Sequence, residues 1–234
     1  SVGRRTKLIE YFKKELNGEG RIIAVDCSNL APALYIADKH YIVPRINHQN
    51  YINTLKDICK KEKITAILSL IDPELSLLAK HSDEFNKIGT NTIVSPYEVC
   101  ELFLDKYATF KFCRKNNFNC AKTYNTFTDF QKAKDKKEIN FPVFVKPRKG
   151  SASLNINIAR NIEETKIIFS SSEDMIVQEF LKGKEIGVDV YIDMISKKVV
   201  SIFIKEKIAM RAGETDKSKS IKSEKLFRLI EEFV

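Results

Sequence analysis

The residues best suited to chemistry fall between Phe141 and Asp189. Lys146 ends the apolar run Phe141-Pro-Val-Phe-Val and is followed by Pro147, Arg148, Lys149 and the small residues Gly150, Ser151, Ala152 and Ser153. Strand, small-residue loop and a second alternating run through Ile158 make a phosphate-handling arrangement. Backbone N–H groups approach phosphate oxygens closely only where side chains are small, and a fixed ammonium offsets the phosphate charge. A lysine closing an apolar strand is costly without an anionic partner, which sets Lys146 apart from the solvated lysines elsewhere. Farther on, Met175-Ile-Val-Gln178-Glu179-Phe180-Leu181 reads as a strand and Lys182-Gly183 as a turn. Glu185 then opens another strand that runs through Asp189.

Composition narrows what such a site can belong to. With 234 residues, 43% of them hydrophobic, the chain can build one large domain or two modest ones, and two units are expected. It contains no run of about 18 apolar residues, and Ser1-Val-Gly-Arg-Arg is no secretion signal, so a soluble cytoplasmic protein with no membrane partner is expected. Cys27, Cys59, Cys100, Cys113 and Cys120 show no C-x-x-C spacing, and His40, His48 and His81 show no metal-ligand pairing. Reduced packing cysteines follow, with no metal site within the chain. The formal charge of +9 suits nucleic acid, but the lysines spread over nearly every segment and no RNP-like strand, zinc knuckle or recognition helix accompanies them.

The elements that position the site follow from periodicity. Leu8, Ile9, Phe12 and Leu16 predict a helix over 4–16, and strands are expected at 21–26, 41–44, 66–71 and 91–94, with helices at 51–61 and from Asp72-Pro73-Glu74 onward. Alternating strands and helices imply a doubly wound parallel sheet over the first hundred residues, whose ligands bind beyond the strand C-termini. G-x-G-x-x-G is missing near the start, where Gly3 is followed by Arg4 and Arg5, which argues against nicotinamide binding. Asp105 to Asn116 reads as a helix, 123–137 as strand then helix, 162–169 and 223–233 as helices, and Lys197-Lys198 as a hairpin turn. Arg211 to Ser220 has almost no apolar content and predicts a mobile loop.

In their order and spacing, Asp105-Lys106, Phe141-Pro-Val-Phe-Val-Lys146-Pro and Val177-Gln-Glu-Phe-Leu-Lys-Gly-Lys-Glu185 with Val188-Asp189 resemble the ATP-grasp superfamily. The likeness is strongest to its carbamoyl-phosphate-synthase large-subunit-like branch. The resemblance implies a mixed α/β and α+β fold: a Rossmann-like domain over 1–104, then an ATP-grasp region over 105–234. Within that region it implies a helical linker and nucleotide-binding part over 105–181 and the start of a C-terminal part from 182, cut short. It implies that Lys106 and Lys146 reach the nucleotide phosphates from two sides, although Lys106 also fits a solvated helix lysine. Gly150, Ser151, Ala152 and Ser153 would form the phosphate loop, with less glycine than the family's usual loop. Gln178, Glu179, Phe180 and Leu181 would clamp adenine, the Gln178 side chain meeting its exocyclic amine and Leu181 packing on the ring.

Glu185 resembles the acid that takes the ribose hydroxyls, and also fits an edge-strand surface acid. Arg211, with Lys205 and Lys207 before it, would face the transferring phosphoryl group as the catalytic cation. The cofactors implied are ATP and Mg2+, with magnesium ligands expected on strands beyond Val234, so the chain is expected to be an inactive fragment of a longer enzyme. The reaction implied joins a small-molecule carboxylate to an amine or ammonia through an acyl-phosphate, with Arg4, Arg5, Asp26 and Glu74 as candidates for the second substrate. A homodimer is retained as an assembly. Two other readings stay open: a non-catalytic nucleotide-binding regulatory module, and a basic nucleic-acid binder.

Overall fold

The computed structural model describes residues 2–150, 155–211 and 214–234. The chain divides into two compact units, Ser1–Glu101 and Leu102–Val234. In the first, α1 (Thr6–Leu16) buries Ile9 and stops at Asn17, which adopts the left-handed conformation and donates its N–H to the Lys13 carbonyl. Strand β1 (Ile23–Asp26) pairs in parallel with β2 (Lys39–Ile42), and β3 (Ala66–Leu68) in parallel with β4 (Asn91–Ile93). Hydrogen bonding thus closes two parallel pairs, where one continuous sheet is expected from the sequence. β3 is shorter than its apolar run because the Ser69 hydroxyl accepts the Ile71 N–H at 3.1 Å, turning the chain off the ladder.

Helix α2 (Tyr51–Glu62) turns Leu55 and Cys59 inward, and α3 (Asp72–Lys80) starts on Pro73 with acids in its first turn. Leu55, Leu78 and Phe85, the last on α4 (Ser82–Asn86), meet in the core of this unit. Helix α5 (Tyr97–Leu104) follows. Among the described residues no helix is long and apolar enough to cross a membrane.

The second unit begins with α6 (Lys106–Lys115) and builds an antiparallel sheet in the order β5 (Thr123–Tyr124), β8 (Met175–Glu179), β6 (Val143–Pro147), β7 (Asn157–Ala159). Alternation along β6 sends Val143 and Val145 into a core with Phe130, Ala133 and Ile139, which leaves Phe144 and Lys146 on the opposite face. Helices α7 (Phe127–Asp135) and α8 (Ile162–Phe169) cover the core side; Thr126 caps the first and Asn161 the second. Phe130 is 0% exposed and its ring meets those of Tyr124, Phe127 and Phe141.

Past Glu179 the chain forms a separate antiparallel sheet in the order β11 (Glu214–Ser220), β10 (Val199–Arg211), β9 (Ile186–Ile192). The loop expected over Arg211 to Ser220 is therefore corrected to strand at Arg211, the end of β10, and over Glu214–Ser220. Low apolar content cannot tell a loop from a polar edge strand, and here long β10 serves as template, pairing Lys205 with Ser220 through Arg211 with Glu214. Helix α9 (Glu224–Phe233) then packs Phe233 among the rings of Phe103, Phe112 and Phe118.

One contact fastens the start of α6 to the end of β6. The Asp105 carboxylate caps α6 by accepting the N–H groups of Tyr107 and Ala108 at 3.0 Å each, and also accepts Arg148 Nε at 2.8 Å and Nη2 at 2.5 Å. Burial disfavours its charge, but Arg148 and the two N–H groups outweigh burial and hold its pKa below the usual aspartate value.

Two outcomes follow. Phe130→Ala should lower the stability of this unit by about 3–5 kcal/mol, read as a fall in denaturant midpoint, and a loss under about 1 kcal/mol contradicts the packing described. Asp105→Asn keeps a cap but loses the charged pair, costing roughly 2 kcal/mol at neutral pH. A depressed folded-state pKa gives stability that is present above the unfolded value of about 4 and lost as pH falls through the folded one, so wild type and variant should converge below about pH 4. A gap that persists into acid would show that the charge contributes nothing.

Candidate functional site

On the sheet face carrying Phe144 and Lys146 lies a cleft of about 330 Å³, lined by Phe103, Lys106, Thr109, Phe110, Lys146 and Gln178. Its position follows from register. Phe144 stands opposite Gln178 and Lys146 opposite Ile176, so Lys146 and Gln178 are diagonal cross-strand neighbours on one face. Lys146 Nζ donates to Gln178 Oε1 at 2.6 Å, and Gln178 Nε2 donates to Thr123 Oγ1 at 2.9 Å. Thr123 is buried and passes its own hydroxyl proton to the Ala121 carbonyl at 2.9 Å, so the chain of donors ends on backbone. Burial first, then repulsion from Lys106, pushes the Lys146 pKa below the ordinary lysine value.

Lys106 reaches the same cleft from the first position of α6. Its ammonium donates to the carbonyls of Pro147, Arg148 and Gly150 at 3.1, 3.4 and 3.0 Å. Gly150 has φ of +120°, a conformation in which a side chain would be strained, so the loop's one glycine stands where backbone geometry requires it. Ser151, Ala152 and Ser153 lie outside the described residues. The lining thus holds two ammonium groups and, among the described residues, no carboxylate. Such a cleft favours a polyanion, because each ammonium raises the potential felt by the next negative group.

In the segment expected to clamp adenine, the Gln178 side chain is engaged by Lys146 and Thr123. Glu179 is held on both its groups, its N–H donating to the Lys122 carbonyl at 2.9 Å and its carboxylate accepting the Lys122 N–H at 3.0 Å. Register pairing of β8 with β6 ends at Glu179 opposite Val143, so Phe180 and Leu181 are the residues released from the ladder. Leu181 is exposed, and Phe180 stacks on Phe144 with ring centroids 5.0 Å apart.

Glu185 and Arg211 do not line this cleft. Glu185 accepts Lys207 Nζ at 2.6 Å, and Asp189 accepts Lys205 Nζ at 2.6 Å, across the β9–β10 pair. Arg211 pairs with Asp216 at 3.1 Å, and its side chain is 76% exposed. Lys205, Lys207 and Arg211 therefore each face an acid on their own sheet. Sequence reasoning missed Arg148, Thr109 and Thr123. The N-cap signature of Asp105 was available, but nothing in the spacing ties a guanidinium 43 residues later to it.

In the first unit Asp26 is buried and accepts the N–H groups of Gly3 and Ser28 at 2.9 and 3.0 Å, while Glu74 accepts Ser69 Oγ at 2.5 Å and the Tyr51 hydroxyl. These bonds serve the fold. A second cleft of about 360 Å³ near His48 and Tyr51 carries Lys56, His81 and Glu84, which pair with one another. Its charges cancel locally, so it draws an anion less than the Lys106–Lys146 cleft does. Among the described residues no group of three or more His, Cys, Asp or Glu could hold a metal ion.

Comparison with known proteins identifies the family. Residues 1–93 match the family model described as PylC-like, N-terminal domain, and residues 103–234 match the one described as ATP-grasp domain. Carbamoyl-phosphate synthase of Methanobrevibacter smithii is 26% identical over 185 residues, 78% of this chain and 48% of its own length. A D-alanine–D-alanine ligase of Clostridium botulinum is 26% identical over 166 residues, 63% of this chain and 50% of its own. The chain spans about half the length of these curated relatives. N5-carboxyaminoimidazole synthetase from Staphylococcus aureus, solved with ADP, matches in fold with a TM-score of 0.72 at 16% identity, covering 100% of this chain and 60% of that one. The fold, the cleft and these matches together place the chain in the ATP-grasp superfamily, with a PylC-like N-terminal domain and a distant likeness to carbamoyl-phosphate synthase.

Proposed function

We propose that this chain is the nucleotide-holding part of an ATP-dependent ligase that joins a carboxylate to an amine or ammonia. The observation that carries the reading is the partly buried Lys146 ammonium, held by the uncharged Gln178 amide and placed in one cleft with Lys106. Burying a charge is unfavourable unless an anion compensates it, and the triphosphate of ATP would do so. Phe180, Leu181 and the backbone beyond β8 would meet adenine, and Glu185 would take ribose once released from Lys207. Membership of the ATP-grasp family supports the reading, as do relatives named as ligase and synthase.

In the proposed reaction a carboxylate oxygen attacks the γ-phosphorus, ADP leaves with the bond electrons, and the amine then displaces phosphate from the acyl carbon. Catalysis of this kind is mostly positioning and electrostatics. Magnesium, when bound, would supply charge neutralisation of the phosphates, and none of the described residues is assigned to hold it. Arg211 would join the reaction only after leaving Asp216. A second reading, a nucleotide-binding module without turnover, is favoured by the lack of a metal-ligand cluster among the described residues. ADP release stimulated by amino acids or bicarbonate in a longer protein that contains this chain separates the two.

Binding can be measured directly on this chain. Calorimetric titration with ATP should give saturable binding, and Lys146→Met should weaken it about 10–100-fold. Equal affinity in the variant, or no binding by wild type, sinks the nucleotide assignment. Lys146 also predicts a pH effect on stability. With its folded-state pKa depressed, the unfolded chain binds more protons just below the ordinary lysine value of about 10.4, so wild-type stability should rise with pH there relative to Lys146→Met. A flat difference across pH 8–10 would contradict the burial of a charged lysine.

A further inference from the structure

We propose that Arg148 and Asp105 are a positioning pair whose ion pair keeps the Lys106 ammonium beside Lys146, so that polyphosphate affinity depends on a guanidinium engaged elsewhere. The inference rests on the nucleotide reading above and adds to it the device that assembles the site. Lys106 is poorly placed to stay in the cleft unaided. It sits at the positive end of α6, its flexible stem has four rotatable bonds, and a second ammonium lies nearby. Left alone, it would extend into water.

Arg148 supplies the restraint through both its main chain and its side chain. Its carbonyl accepts the Lys106 N–H at 3.0 Å and the Lys106 ammonium at 3.4 Å, and the flanking carbonyls of Pro147 and Gly150 accept the same ammonium. Its guanidinium grips the Asp105 carboxylate through Nε at 2.9 and 2.8 Å and Nη2 at 2.5 Å. Arg148 N–H donates to the Asp174 carbonyl at 2.8 Å, its Nη1 lies 3.6 Å from the Asp174 carboxylate, and its guanidinium sits 5.9 Å from the Tyr107 ring centroid. One residue therefore pins the strand end, where Lys146 stands, to the helix start, where Lys106 stands. A lysine at 148 would keep the charge and lose the planar fork.

The test compares ATP binding to wild type, Arg148→Ala, Arg148→Lys, Lys106→Met and the double variant Arg148→Ala with Lys106→Met, at a temperature where thermal melts show all folded. If Arg148 acts through Lys106, each Arg148 variant should weaken binding about tenfold, and the double variant should bind no more weakly than Lys106→Met alone. Wild-type affinity in Arg148→Lys, or losses that multiply in the double variant, would overturn the positioning role. A readout independent of ATP is the Lys146 Cε resonance followed against pH. Lys146 is faced by Lys106 from α6, by Gln178 from β8 and by the Phe144 ring, so Lys106 is the charge it senses. In Arg148→Lys its titration midpoint should move up toward that of an ordinary lysine, and an unmoved midpoint rejects the proposal. If wild type fails to bind ATP the nucleotide reading falls, while the midpoint still decides whether Arg148 positions Lys106.

Discussion

Two ammonium groups brought into one partly buried cleft repel each other, and the structure of the second unit is arranged around that repulsion. Lys146 comes from a strand whose neighbouring residues fill a core, so its backbone cannot retreat without exposing Val143 and Val145. Lys106 comes from a helix start tied to the end of the same strand by Asp105 and Arg148. The Lys146 ammonium donates to the Gln178 amide, and three backbone carbonyls accept from the Lys106 ammonium. Neutral acceptors relieve desolvation without cancelling charge. Lys146 therefore keeps a positive charge in the cleft that a carboxylate in place of Gln178 would have offset.

This economy of partners distinguishes the cleft from the other basic surfaces of the chain. Lys205, Lys207 and Arg211 each face an acid across the three-stranded sheet, and Lys56 and His81 share Glu84 in the first unit. Exposed pairs of that kind contribute little to stability and little net field. The cost is stability. Lys146 in a solvent-poor position is retained against its own desolvation, as expected of a residue kept for binding.

Much of the fold was legible because the helices carry clear periodicity and caps. Ile162–Phe169 and Glu224–Phe233 fall where their apolar spacing and the caps Asn161 and Ser223 place them. Lys146 was legible for a physical reason too, since a charge closing an apolar strand demands an explanation. What escaped notice was pairing. Glu214–Ser220 forms a strand because β10 offers it a ladder, which composition does not report. Gln178 looks like a free polar group in a linear sequence, and only register reveals Lys146 diagonally across from it. Arg148 reads as one more basic residue until Asp105 is brought beside it in space.

The central claim is that the Lys146 ammonium, disfavoured by burial and by Lys106, is stabilised when a polyphosphate enters. Calorimetry of ATP binding at a series of alkaline pH values up to the ordinary lysine value of about 10.4, in two buffers of different ionisation enthalpy, measures this as protons taken up per ATP bound. The account predicts net uptake by wild type that disappears in Lys146→Met, because a nearby polyanion raises the pKa that burial and Lys106 had lowered. Binding with no proton uptake, or the same uptake without Lys146, would contradict it.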